Sequence, residues 1–325
     1  MEERKYKLTD ETKEVYGITL HRIVALKDFA GVKNGSKGGW IEKESNLSQN
    51  GNAWVYGDAW VYGDAEVYGN GKVYGNAKVY GNGKVYGNAK VYGDAEVYGN
   101  GKVYGDAKVY GNAWVYGNAR VCDNGKVYGN AKVYGNARVC DNGKVYGNAK
   151  VYGNAWVYGD ARVYDNGKVY GKAKVYGDAE VCNNADYIVF KNFWSSGRYF
   201  TWTRSNNKWR VGCFYGTGEE LISKAYKDCE KSGREYERVV RYVESILADE
   251  QKEKNKSDME AIIFTTISVL CTVFIWFRIG RQRAFDDLLH DCKELAKICK
   301  ILKLIIKGYK QKYGELTDEE TKGKN

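Results

Sequence analysis

The chain has 325 residues, with 39 Gly, 29 Tyr and no Pro, enough for two ordinary domains or one elongated body with appendages. Most of the Gly and Tyr fall between residues 51 and 185, a bias that argues against an ordinary mixed core and for a repeat. The formal charge of +10 is not gathered in one groove: acids and bases interleave through the repeat and the clear excess lies in a basic tail, so the charge indicates a membrane-facing tail and gives no strong nucleic-acid signal.

Residues 1–50 open with MEERKYKLTDETKEVYG, a charged start without the apolar core of a secretory signal. Cytosolic placement and reduced thiols are therefore expected for the eight Cys, among which there is no CxxC pair. The apolar runs ITLHRIVAL and GGWIE mark these residues as an N-terminal cap, and Ile41 and Leu47 begin the following repeat imperfectly.

Over residues 51–185 every sixth position from Val55 to Val181 is Val. Four residues after each stands Ala or Gly, and one after it Tyr, except at Cys122, Cys140 and Cys182. A helix would scatter a six-residue period around its surface, and this much Gly would weaken it further. Hairpins with Gly-Asn turns would need an open sheet far larger than sheets usually grow. A three-sided coil meets neither objection. Each six-residue unit is a short strand and a corner, Val and Ala or Gly point inward, and the Gly-Asn or Gly-Asp pair supplies the positive φ of the corner. Three units make a coil of eighteen, which explains why residues 119–136 and 137–154 are identical. The resulting prism is about 35 Å long at roughly 4.8 Å per coil, and its open strand edges require caps at both ends.

This grammar resembles the hexapeptide repeat of the left-handed parallel β-helix superfamily over residues 41–185. The VYGNAK form, preceded by GGWIEKESNLSQ, also resembles uncharacterised bacterial and prophage proteins. The resemblance implies a mainly β fold, and many members of the superfamily are acyltransferases with a histidine base at a subunit interface. Others are zinc-dependent carbonic anhydrases using three histidines. Here the only histidines are His21 and His290, both outside the repeat, and the coils carry no insertion that would build a pocket. No catalytic residue, metal or cofactor is expected, and the chain is read as a non-enzyme.

The outward Tyr should stack in ladders, with Lys72, Lys90, Lys108, Lys126 and Lys144 sharing one face. Neighbouring Tyr and Lys permit cation–π contacts of about 0.5 to 1 kcal/mol. These ladders either stiffen the rod or form a surface for an unknown protein or small-molecule ligand, for which Trp54, Trp60, Trp114, Trp156, Tyr74, Tyr92 and Tyr110 are the candidates. Cys122 and Cys140, one coil apart, should be neighbours. Pairing and soft-metal binding are open to them, although the duplication accounts for both without a role.

Residues 186–250 change period. DYIVF, GRYFTWTR and KWRVGCF read as strands, the last two joined at Asn206-Asn207, and two helices follow, the first opened by a Thr217/Glu220 capping box. This α+β module caps the other end, with Trp194, Trp202 and Trp209 in its core and Cys213 a buried structural cysteine. A polar linker, 251–260, precedes the uncharged run AIIFTTISVLCTVFIWF, 261–277. As a helix it spans about 26 Å, near the short limit for a bilayer. It is read as a transmembrane anchor presenting Ile262, Phe264, Leu270, Phe274 and Trp276. Lys and Arg on both flanks leave the orientation of the tail open. In the basic tail, 278–325, Phe285, Leu288, Leu295, Leu302 and Ile306 lie on a heptad seam that favours self-association as a coiled coil, the alternative being adsorption to anionic lipid.

The reading that unites these elements is a membrane-anchored β-helix scaffold or binding protein, oligomeric, with its rod in the cytoplasm and of bacterial or prophage origin. Two alternatives stand beside it: a membrane-acting effector in a prophage or phage-defence setting, whose rod senses and whose tail perturbs the bilayer, and an atypical acyltransferase-like enzyme.

Overall fold

The computed structural model describes residues 3–194 and 196–280, and scattered positions between 290 and 304. The chain divides into two compact units, Met1–Glu244 and Ser245–Asn325.

The first unit is built on a parallel β-solenoid whose rungs stack into sheets of eighteen-residue register. One face is an eight-stranded sheet from Trp54–Val55 to Glu180–Val181, a second contains the rungs from Trp60–Val61 to Lys168–Val169, and a third is a seven-stranded sheet from Glu66–Val67 to Lys174–Val175. Residue i opposes residue i+18 throughout, as in Lys90↔Lys108 and Val91↔Val109. The repeated Val side chains are fully buried, as are the Ala four residues later up to Ala179. Where Gly replaces Ala the reason is space: a Cβ on Gly71 would lie 2.7 Å from the carbonyl oxygen of Val85. At the corners Gly93 has φ 71°, and Asp123 takes the same left-handed conformation at φ 54°, which Asp tolerates better than most side chains.

A solenoid of parallel rungs has a polarity, and the two ends solve opposite problems. The N–H groups on either side of each Val donate to the next coil, as from Trp54 to the Gly71 carbonyl and from Tyr56 to Val73, while the parallel pairing turns the Val N–H back to the previous coil. The first coil is therefore left mainly with acceptors and the last mainly with donors, each costing about 1 to 3 kcal/mol if buried without a partner. At the N-terminal end β1 (Tyr6–Val15) and β2 (Ile18–Ala25) form a hairpin, and β3 (Lys37–Ile41) pairs antiparallel with β2 and parallel with the Trp60 rung. Donor side chains meet the carbonyls. Lys5 Nζ reaches Ala53 at 2.9 Å, Asn46 Nδ2 reaches Gly63 and Ala65, both at 2.9 Å, and an Arg22 guanidinium nitrogen reaches Gly57 at 2.7 Å. Burial brings the Lys5 ammonium down to about 8. Ile41 pairs with Val61 and Leu47 bridges to Val67, so the repeat register does begin there.

At the C-terminal end acceptor side chains meet the amides. Thr201 Oγ1 accepts from Lys174 N–H at 3.0 Å, Ser205 Oγ from Glu180 at 2.7 Å, and Asp186 Oδ2 from Cys182 and Asn183 at 2.7 and 2.8 Å. Thr201 belongs to, and Ser205 and Asp186 flank the strands of, a four-stranded antiparallel sheet, Tyr187–Lys191, Tyr199–Thr203, Lys208–Val211 and Phe214–Gly216. The turn at Asn206-Asn207 joins its central pair, with Asn207 at φ 49°. Trp202 and Trp209 face each other across these strands and are buried. Helix α1 (Gly218–Asp228) starts on the Thr217/Glu220 capping box, whose two hydrogen bonds are 2.8 and 3.3 Å. Helix α2 (Glu230–Gly280) packs Tyr236 on Phe200 at 4.6 Å.

Four expectations are corrected. Trp194 is 63% exposed, beside an equally uncovered Phe193. Cys213 is exposed in the turn between the last two strands, because that turn faces away from the module's core. The residues read as a linker, 251–260, are helical within α2, since Lys, Glu, Gln and Met favour helix without needing burial. Cys122 and Cys140, expected as reduced thiols, form a disulfide with Cα atoms 4.7 Å apart. The seam residues Phe285, Leu288, Leu295, Leu302 and Ile306 lie outside the described residues.

Candidate functional site

Each face of the solenoid presents two outward columns, one of Tyr and one of the residue two places before it. In the Tyr column of the first face, Tyr74, Tyr92, Tyr110, Tyr128 and Tyr146 stack nearly parallel with centroids 4.7 to 5.1 Å apart. On the second face the stack runs from Tyr62 to Tyr170. The parallel register forces this spacing, which is that of the strands themselves. Rings in contact on both faces expose edges and hydroxyls and leave no slot for a planar ligand between them.

The hydroxyls are harder to ionise than free Tyr. Burial raises Tyr74, Tyr92 and Tyr110, and the hydroxyls of stacked neighbours add to the effect at Tyr74 and Tyr110. Tyr62 is pushed up to about 12 by burial and then by the Glu96 carboxylate. Tyr80 donates to that same carboxylate at 2.8 Å and is raised further still, again by burial first. At the corners Asn side chains form a second ladder, for example Asn118 to Asn136 at 3.1 Å and Asn136 to Asn154 at 3.2 Å. A shallow polar groove follows one such corner, lined by Asn88, Lys90, Asp106, Lys108, Asn124 and Lys126.

The four Trp singled out from the sequence do not form one patch. Trp54 is 1% exposed. It occupies an outward register, yet the N-terminal hairpin and the loop after it fold over it, with Tyr6 and Phe29 meeting its ring edge-on at 6.1 and 5.3 Å, so it belongs to the core and not to the surface. Trp60 and Trp114 share the second face but are separated by the Lys78 and Glu96 rungs. Lys13 and Lys78 lie over Trp60, and Lys132 over Trp114 at 4.0 Å. Trp156 is on the third face between Arg138 and Lys174. Half-buried and cation-covered, these rings brace neighbouring coils.

His21 lies on β2 with Nδ1 3.2 Å from the Thr9 carbonyl oxygen. The capping residues Lys5, Arg22 and Asn46 were not legible as such, because each meets a carbonyl seventeen or more residues away. Phe193 was missed too. Its sequence signal is the adjacent aromatic pair in a short Asn-Ser-Gly loop, NFWSSG.

In the second unit the uncharged run lies on α2, and most of its described side chains are exposed. Ile262, Phe264 and Trp276 are 62%, 75% and 78% exposed, Phe274 is exposed and Leu270 half-buried. The helix is long and apolar enough to cross a membrane, and its most apolar stretch has no buried residue among those described. Thr265, Thr266 and Thr272 return their hydroxyls to helix carbonyls three or four residues back, which hides those donors from an apolar solvent.

No family model matches the chain. The uncharacterized acetyltransferase YdcK of Escherichia coli (strain K12) is 38% identical over 61 residues, 16% of this chain. The chain spans 19% of the length of that curated relative, so the similarity covers a minor part of either protein.

Proposed function

We propose that this protein is a non-enzymatic scaffold or binding protein, a capped β-solenoid tethered to a membrane through residues 261–277 with the rod on the cytoplasmic side. The observation that carries the reading is the exposed apolar run on α2. Burying Phe, Ile and Val side chains contributes about 1.5 to 3 kcal/mol each, and leaving a whole turn-by-turn set of them in water would forfeit that. A bilayer core supplies the missing cover. The rod then serves as a rigid platform with ladders on its faces. Caps cover both of its ends and partner several of the end groups, which favours lateral over end-to-end association of the rod. The sequence resemblance to prophage-type repeat proteins fits a role in such an element.

The test is fractionation of cells making the full chain, followed by alkaline carbonate washing. A tethered protein stays in the membrane pellet, and recovery in the supernatant would sink the reading.

The acyltransferase-like reading has one specific support, the 61-residue similarity to a protein named as an acetyltransferase. Against it, both histidines lie outside the coils. Turnover of acetyl-CoA by the purified full chain, abolished by His21→Ala, would move the assignment to that class.

A further inference from the structure

The third face carries the one break in the stacked ladders that is bridged covalently. Its Tyr column reads Tyr68, Tyr86, Tyr104, Cys122, Cys140, Tyr158, Tyr176. The rings stack at 4.7 and 5.0 Å as far as Tyr104 and resume, tilted, at Tyr158 and Tyr176. Between them the two sulfurs are bonded. The neighbouring column offers no help at this level, since Arg120 directly opposes Arg138, a like-charge pair that destabilises a sheet. Outside the Val and Ala core, what remains across the step is backbone pairing and the Asn124 to Asn142 corner bond of 3.3 Å.

We propose that Cys122 and Cys140 are a reversible two-electron clasp on the middle of the rod, opened by low-molecular-weight thiols of the glutathione class and closed by their disulfides. This proposal is independent of the membrane reading. The coil rise holds the two Cα atoms 4.7 Å apart, within the range a disulfide spans, so bond formation needs no movement of the backbone. The bond closes a loop of one coil, with a sequence separation of 18.

The two sulfurs are not equivalent. Cys122 is 4% exposed, while Cys140 is half-buried and accessible. An attacking thiolate therefore bonds to Cys140 Sγ as the S–S bond breaks, and the electron pair leaves on Cys122 Sγ, which takes up a proton. A second thiolate attacks the small-molecule sulfur of the mixed disulfide and releases Cys140. Two small thiols are oxidised to one disulfide as the protein disulfide is reduced to two thiols. Arg120 and Arg138 precede the cysteines on the same outward face, the Arg138 guanidinium lying over Trp156. Asp123 lies within 4.8 Å of both sulfurs, and Asp141, whose Oδ2 accepts from Gly159 N–H at 3.1 Å, follows the second cysteine.

The experiment equilibrates the full chain in glutathione buffers of graded ratio, quenches with acid, alkylates, and digests the monomeric band of a non-reducing gel with trypsin. Cleavage after Arg120, Lys126, Arg138 and Lys144 gives two identical VCDNGK peptides, so isolating the monomer is what separates a bond within the chain from one between chains. The expected result is interconversion of linked and alkylated VCDNGK with a two-electron slope, about 30 mV per tenfold change. In parallel, hydrogen exchange at the Cys122 and Lys126 amides, which donate to Val139 and Gly143, should be on the order of 100-fold faster in the reduced chain, with the Tyr68 and Tyr86 amides unchanged. A chain that stays reduced at every ratio, links found only in dimers, or identical exchange in both states would overturn the proposal.

Discussion

The solenoid and the apolar stretch of α2 use similar residues to opposite effect. In the rod Val115 and its equivalents are fully buried, while on the helix Val269 and Ile267 are more than half exposed. The rod supplies its own solvent: each Val packs on copies of itself above and below, and Ala or Gly leaves room for the next. Among the described residues the helix has no such partner, and the proposed reading has a bilayer complete its apolar surface. An apolar residue in this protein therefore has one of two jobs, and burial, not hydrophobicity, tells them apart.

The sharpest way to break that comparison is to place the same charge in both regions. Val115→Asp buries an uncompensated carboxylate in the solenoid, a loss of several kcal/mol, and circular dichroism should report an unfolded or aggregated rod. Val269→Asp should leave the rod's spectrum unchanged and weaken membrane partition by roughly 2.5 to 3.5 kcal/mol, read as a shift of the full chain into the carbonate supernatant. An intact rod in the first variant, or an unmoved second one, would show that the two regions do not differ as described.

Smaller effects test the ends of the rod. Asn46→Ala orphans the Gly63 and Ala65 carbonyls, and Thr201→Val orphans the Lys174 N–H. Each should lower stability in urea by about 1 to 3 kcal/mol, the first more than the second because it frees two groups. Equal and negligible losses would mean that water serves the ends as well as the caps do.

The mildest perturbation is alkaline pH. Unfolded Tyr ionises near 10, whereas Tyr62 is held up to about 12 and Tyr80 higher, both chiefly by burial. The stability these groups contribute is complete below pH 10 and is lost as pH rises from there through their folded values. The urea midpoint should rise slightly from pH 8 to 10, as Lys5 loses a proton that burial disfavours, and fall above 10, and Tyr80→Phe should flatten the fall. A midpoint that drops at the same rate in both proteins would detach the ladder from the effect.

The rod was legible in the sequence to the residue, because in a solenoid the neighbours of residue i are i−18 and i+18 and the period can be counted. The capping box at Thr217 and the turn at Asn206-Asn207 were legible for the same reason, being local. Trp54 was not. It shares its register with Trp60, Trp114 and Trp156, and the Tyr6 and Phe29 that cover it come from the N-terminal hairpin and the loop after it, whose docking no period encodes. The Cys122–Cys140 pairing lay between: adjacency followed from the count, the bond did not. The candidate site was the least legible part. Trp60, Trp114 and Trp156 look alike as letters, yet they lie on two faces, each under its own cations.

The central claim, that lipid covers residues 261–277, has an internal probe in Cys271. It sits within the run and, like Cys213 and Cys229 in the first unit, is exposed to any small molecule that can reach it. Membranes carrying the full chain, opened so that both sides are accessible, are treated with a water-soluble maleimide, and modification is read at each site by mass spectrometry. The account predicts rapid labelling of Cys213 and Cys229 and protection of Cys271 until detergent and denaturant are added. Labelling of Cys271 at the rate of Cys213 in intact membranes would contradict it.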